Sequence, residues 1–266
     1  MNAPLGASAR QAGSADRAGP AASVRGLEKS YGGPRILDGV SFDVAPGAAV
    51  AVIGANGSGK STLLRCMIRL TEASGGEVAM LGSEVTRLRA GDLRRFRARV
   101  GFVWQRHNLV PRLSALTNVI HGVQARRSGP RTWFQALAPA EVRAEAMECL
   151  GRVGLADFAL RRVDGLSGGQ SQRVAIARML MQRPEIVLAD EPDASLDPQS
   201  GEEVMRLLSN LARESGLTLL VVSHRLEHTL AFSDRVIGLA GGRVALDLPT
   251  READAGLLRG FFDAKS

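Results

Sequence analysis

Lysine is nearly absent from this sequence. Of its 34 basic residues only Lys29, Lys60 and Lys265 are lysine, and the arginines are scattered among acidic neighbours instead of forming one long basic block. The excess over 27 acidic residues leaves a net charge of +7 and a pI near 10.5, which permits nucleotides, nucleic acids or membrane surfaces as partners without choosing among them. Cysteine is just as scarce. Cys66 and Cys149 stand far apart in apolar, helix-like contexts, with no metal-ligand spacing and no reason to form a bridge, which fits a reducing cytosol. No apolar run approaches the roughly 18 residues needed to cross a bilayer, since the greasiest stretch, 217–222, is followed by Ser223 and His224. With 266 residues, 45% hydrophobic and 23% charged, the chain is neither collagen-like, nor a disulfide scaffold, nor disordered throughout, and it has length for one or two globular domains.

Residues 1–22 mix Ala, Gly, Ser and Pro with Arg10, Asp16 and Arg17 and have neither an apolar core nor a helical stripe. They do not form a secretory signal; a disordered extension is expected, with a mitochondrial-type targeting segment as the weaker alternative. The folded part is expected over 23–266. Val40, Phe42 and Val44 alternate with polar or small residues and end at Pro46-Gly47, the pattern of a half-exposed strand and a turn. Residues 48–53 are continuously apolar, then glycine-rich, and are followed by Leu63, Leu64, Met67, Ile68 and Leu70 at helical spacing. Buried strands of the same kind are expected at 100–104, 186–189 and 217–222, with helices near 140–152, 170–182 and 198–213. Such alternation predicts an α/β fold with a parallel sheet flanked by helices. Near the C-terminus, 236–239 and 244–246 flank Gly241-Gly242 as a hairpin would.

Residues 54–62 read Gly54, Ala55, Asn56, Gly57, Ser58, Gly59, Lys60, Ser61, Thr62, a phosphate-binding loop between a strand and a helix. Backbone N–H groups must converge on phosphate oxygens, so side chains are absent where the chain wraps the anion, as Gly54, Gly57 and Gly59 allow. Lys60 would then reach the β- and γ-phosphates of a nucleotide as a point charge and Ser61 would offer its hydroxyl to Mg²⁺. The bland alternative is a glycine-rich turn with a solvated lysine. Further on, the apolar strand ending at Ala189 delivers Asp190 and Glu191 at its C-terminal end, where open α/β sheets bind ligands. Asp190 would hold the Mg²⁺ water shell, while Glu191, projecting to the other side, would polarise the attacking water.

Leu166-Ser167-Gly168-Gly169-Gln170 precedes a helix, and Ser167 with Gln170 makes a Ser-x-x-Gln capping box. The same residues resemble the signature of ATP-binding-cassette ATPases, in which two copies pack head to tail so that the signature of one closes over the ATP held by the other. The resemblance covers residues 23–250. It implies a P-loop NTPase core of the RecA-like kind, a small antiparallel β subdomain, and a helical subdomain inserted at about 106–172. It also implies that Tyr31 stacks on adenine, Gln105 senses Mg²⁺ and the attacking water, Asp197 links the two ATP sites across the dimer, and His224 contacts the γ-phosphate. Pro198 makes Asp197 a helix N-cap as well. His107, His121 and His228 receive no role.

Within that family, residues 63–70, 107–114 and 126–137 with Thr132-Trp133 look like the ATP-binding subunit of phosphonate importers, as do Ala189-Asp190-Glu191-Pro192 and Ala194-Ser195-Leu196-Asp197. Ser171 in place of glutamine, and Ser223-His224-Arg225 in place of Leu-His-Gln, depart from that pattern. The implied assembly is a homodimer with two transmembrane permease subunits, served indirectly by a periplasmic solute-binding protein, at the cytoplasmic face of a bacterial inner membrane, with no nucleic acid. Another cargo, such as phosphate or phosphite, or export, is the alternative. DNA- or ribosome-directed cassettes carry a long coiled coil or a second cassette that is missing here, and a small-molecule kinase would leave the signature without purpose.

Overall fold

The computed structural model of the chain describes residues 19–263, except 128 and 130–132. In chain order the elements are β1 (Ala22–Ser30), β2 (Arg35–Val44), β3 (Ala49–Ile53), α1 (Lys60–Met67), β4 (Gly75–Met80), β5 (Ser83–Glu84), α2 (Ala90–Ala98) and β6 (Val100–Val103). Then follow α3 (Ala115–Ile120), α4 (Ala140–Arg152), α5 (Gly168–Leu180), β7 (Ile186–Asp190), α6 (Pro198–Glu214) and β8 (Thr218–Val222). The chain closes with α7 (Leu226–Phe232), β9 (Arg235–Ala240), β10 (Arg243–Pro249) and α8 (Ala255–Asp263).

Two sheets organise these elements. The larger has the order β10-β9-β3-β8-β7-β6, parallel throughout except for β10, which returns antiparallel to β9 through the Gly241-Gly242 turn. The smaller, β2-β1-β4-β5, is antiparallel. β1 starts inside the segment assigned to the N-terminal extension. Ala21 donates its N–H to the Val44 carbonyl at 2.8 Å and Ala22 is fully buried, so these small apolar residues join the sheet. The rest of that expected extension, residues 1–18, lies outside the described residues, as does Thr132.

The period of two along a strand divides the core. On one face of the parallel sheet Ala49, Ala51, Val187, Ala189, Leu219 and Val221 pack with α3, α4, α5 and α6. On the other, Val50, Val52, Ile186, Leu188, Leu220 and Val222 pack with α1 and the inner face of the antiparallel sheet, through Leu27, Val40 and Phe42. Both faces are covered, which is why these strands read as continuous apolar runs in sequence. The arginines mostly pair with nearby carboxylates at the surface, as in Arg243 with Asp38 and Arg235 with Asp247. Each such exposed pair contributes about 1 kcal/mol or less.

Two glycines distinguish tight from open packing. A Cβ on Gly122 would collide with the Arg178 carbonyl and lie 2.8 Å from the Met181 Cβ, because this turn is pressed onto α5. Gly151, in α4, faces open space. Gly122→Ala is therefore expected to lower the unfolding free energy by about 1–3 kcal/mol, whereas Gly151→Ala is expected to raise it slightly, by at most about 1 kcal/mol. Urea denaturation of both variants checks the contrast; equal midpoints would contradict it.

Candidate nucleotide-binding and catalytic site

The parallel strands all end at one edge, and every charged group singled out from the phosphate loop and its neighbouring carboxylates sits at that edge or just beyond it. The loop leaves β3 at Gly54 and enters α1 at Lys60, with Gly59 as N-cap in the left-handed region at φ 101°. Not all its glycines are glycine for the same reason. A side chain on Gly54 would strike the Leu239 carbonyl of β9, and one on Gly59 would lie 2.8 Å from the Ile36 carbonyl of β2. Gly57, at φ 80°, faces open space. Gly54 and Gly59 thus fit the loop against neighbouring strands, a packing demand added to the bare backbone that wraps an anion.

Lys60 is 4% exposed, and its Nζ donates to the carbonyls of Gly54 at 2.8 Å and Ala55 at 2.9 Å. Burial lowers its pKa, opposed by the charges of Glu191 and Asp190. The Ser61 hydroxyl donates to Asp190 Oδ1 at 2.8 Å. Burial raises the Asp190 pKa, with the Ser61 hydrogen bond and Arg65 pulling it back. One hydroxyl and one carboxylate side by side form an all-oxygen donor pair that suits Mg²⁺, an ion held by few protein ligands together with water and phosphate oxygens.

Glu191 turns away from the strand axis. Its φ is 49°, an uncommon conformation for a residue with a side chain, costing on the order of 1–3 kcal/mol. The turn separates the two adjacent carboxylates: Asp190 faces Ser61, while Glu191 Oε1 accepts a short hydrogen bond from His224 Nε2 at the end of β8. That bond is the chief reason the Glu191 pKa is lowered, against the opposing effect of burial. Tyr31 is 61% exposed and lines a cleft of about 520 Å³ with Ala55, Asn56, Gly57 and Ser58. Lys29 lies over its ring. Arg35, Gly242 and Phe261 line the same cleft without any sequence signal, being brought there by β2, the hairpin and α8. Thr62 lies within the first turn of α1.

Gln105 lies beyond β6, exposed, and among the described residues its side chain is not hydrogen-bonded to Ser61 or Asp190. Ser167 caps α5 with the full capping box: its hydroxyl accepts from the Gln170 N–H at 3.2 Å and Gln170 Oε1 accepts from the Ser167 N–H at 3.0 Å. Gly168 and Gly169 abut Leu196 and Ser200, so the start of α5 packs on the start of α6. Among the described residues no hydrogen bond joins residues 167–170 to the phosphate loop. Asp197 caps α6, accepting from the Ser200 N–H at 3.0 Å, and that contact lowers its pKa. Ser171 is buried in α5. Its neighbour Gln172 is fully buried and donates to the Trp104 carbonyl, tying the strand end before Gln105 to the signature helix.

Residues 37–194 match the family described as ABC transporter. The chain is 49% identical over 234 residues to the phosphonates import ATP-binding protein PhnC of Frankia casuarinae, covering 88% of this chain and 92% of that one. It is 42% identical to the protein of the same name from Bordetella parapertussis, covering 91% and 96%. A phosphate-import ATP-binding protein PhnC of Mycolicibacterium smegmatis is 48% identical, covering 85% and 86%. Among solved structures, the dimeric post-hydrolysis state of the ATP-binding cassette MJ0796 bound to ADP and Pi superposes with a TM-score of 0.76 at 35% identity, covering 87% of this chain and all of that one. By site, fold and sequence, the chain belongs to the ATP-binding-cassette ATPases of the ABC transporter family.

Proposed function

We propose that this chain is the ATP-hydrolysing subunit of an importer that energises phosphonate uptake across a bacterial inner membrane. The single observation that carries the ATPase chemistry is the convergence of Lys60, Ser61, Asp190, Glu191 and His224 at one edge of the parallel sheet. The cargo is carried over from the relatives named phosphonates import ATP-binding proteins. Two copies would act head to tail at the cytoplasmic face, with residues 167–170 of each closing over the nucleotide of the other and Asp197 near the shared boundary. Two permease subunits and a periplasmic binding protein would complete the importer.

Tyr31 would stack on the adenine, and residues 54–62 would surround the phosphates with backbone N–H groups. In the ATP-bound state Lys60 exchanges the Gly54 and Ala55 carbonyls for phosphate oxygens, a change from neutral to charged acceptors. Ser61 and Asp190 would hold Mg²⁺, which supplies charge neutralisation along the phosphates, and Gln105 would complete the water-lined side of the site. Glu191 takes a proton from the attacking water as its oxygen bonds to the γ-phosphorus and the bond to the β-phosphate oxygen breaks. While it lasts, the His224 contact lowers the Glu191 pKa and so favours the ionised carboxylate. His224, given up by Glu191, then donates to the γ-phosphate.

A second reading, phosphate import, is favoured by the 48% identical relative from Mycolicibacterium smegmatis. Stimulation of ATP hydrolysis after reconstitution with phosphonate-importer permeases separates the two: binding protein loaded with a phosphonate should stimulate, and the same assembly loaded with phosphate should not. The reverse pattern establishes phosphate as cargo. Glu191→Gln is expected to cut turnover by about 100-fold or more while ATP affinity holds; near-normal turnover would remove Glu191 as the base. Lys60→Ala should weaken ATP binding about 30-fold or more, as expected for removing a buried charge contact; unchanged affinity in equilibrium titration would contradict the placement of the phosphates.

A further inference from the structure

His228 and Asp193, which no motif accounts for, are buried against each other beside the catalytic turn. Their side chains are 6% and 5% exposed, and His228 Nδ1 donates to Asp193 Oδ2 at 2.7 Å. Arg225 Nε lies 3.5 Å from the same oxygen, and Arg225 Nη2 donates to the Leu196 carbonyl at 3.3 Å. Room for this cluster comes from Gly201 in the first turn of α6, where a Cβ would lie 3.2 Å from Arg225 Nη1 and 3.3 Å from the Asp193 Cβ.

Three segments therefore meet at one carboxylate: the turn after β7, the turn after β8 leading into α7, and the start of α6. Asp193 lies between Glu191 and Asp197, while His228, in the first turn of α7, is four residues beyond His224. The Asp193–His228 contact thus runs alongside the Glu191–His224 contact as a second tie between the same two segments. Apolar side chains of similar volume would fill this space with no desolvation to offset. What a hydrogen-bonded ionic cluster adds is direction, because it holds its partners at a defined distance and angle.

We propose that His228 and Asp193 are positioning residues for ATP hydrolysis, clamping the 191–197 turn to the 223–228 segment so that Glu191, His224 and Asp197 keep a fixed mutual geometry. This rests on the reading of Glu191 as the group that activates water. The side chains of Asp193 and His228 bond to each other and to Arg225, not to the phosphate loop, so the clamp governs turnover and not nucleotide affinity. Arg225 closes the third side of the Asp193 carboxylate and ties it to the backbone ahead of Asp197.

The test is steady-state ATP hydrolysis by the full chain, with ATP affinity and melting temperature measured on the same preparations. His228→Leu and Asp193→Ala are each expected to lower kcat about tenfold or more with KM within about twofold, since small misplacements of catalytic groups have effects of that size. His228→Asn, whose amide can donate from the place of Nδ1, is expected to restore most of the turnover. The double variant His228→Leu with Asp193→Ala should be no slower than the slower single variant. If Asp193→Ala does not fold, the comparison of His228→Leu with His228→Asn decides alone. Parental kcat in His228→Leu, or equal slowing by Leu and Asn, overturns the clamp. Glu191→Gln in the same assay separates the two assignments: if it abolishes turnover while His228→Leu keeps the parental kcat, only the clamp falls. If Glu191→Gln turns over normally, the base and the clamp fall together.

Discussion

A buried ammonium sets the terms for this molecule. Lys60 is almost wholly out of water, and removing such a charge from solvent costs several kcal/mol unless polar groups surround it. Two loop carbonyls do so directly, and the nearby carboxylates of Asp190 and Glu191 add opposing charge. Those partners come from β3 and from the end of β7, strands separated by β8 in the sheet. The register that pairs Val52 with Val222 and Asp190 with Val222 is therefore what lets the lysine be buried at all.

That register in turn depends on two apolar faces. Alternation along β3, β7 and β8 sends successive side chains into different cores, one shared with the helices between β6 and β8, the other with α1 and the antiparallel sheet. A slip of one residue would exchange the two sets, so the ends of the strands are held in line and their polar residues emerge together. Gly54 and Gly59 extend the same packing into the loop. Their missing side chains admit the Leu239 and Ile36 carbonyls, so the loop is shaped by its neighbours before any anion arrives.

Adjacent carboxylates in a strand would normally point to opposite faces of the sheet. Here the left-handed conformation of Glu191 ends the strand and redirects the second one towards β8, leaving Asp190 with Ser61 and Glu191 with His224. The two pairs give the acids different electrostatic surroundings: burial raises the pKa of Asp190, whereas the histidine contact lowers that of Glu191.

The phosphate loop, the signature, the buried strands and the C-terminal hairpin were legible in the sequence because each is a local pattern: glycines at fixed spacing, a capping box, an apolar run, a turn between alternating stretches. Asp190 and Glu191 could be picked out for the same reason, by their place at a strand end, whereas Tyr31 and His224 were singled out through the family resemblance. The small sheet's order, β2-β1-β4-β5, depended on pairing across distant segments, and the first residue of β1, Ala22, lay in a stretch whose composition suggested no structure. Phe261 in the cleft and the Asp193–His228–Arg225 cluster had no local signature either, since their partners lie far away in sequence. The sequence by itself determined which residue types stand at the strand ends, through local spacing. Only the tertiary structure decided which groups face one another, because contacts between distant segments are set by sheet register and core packing.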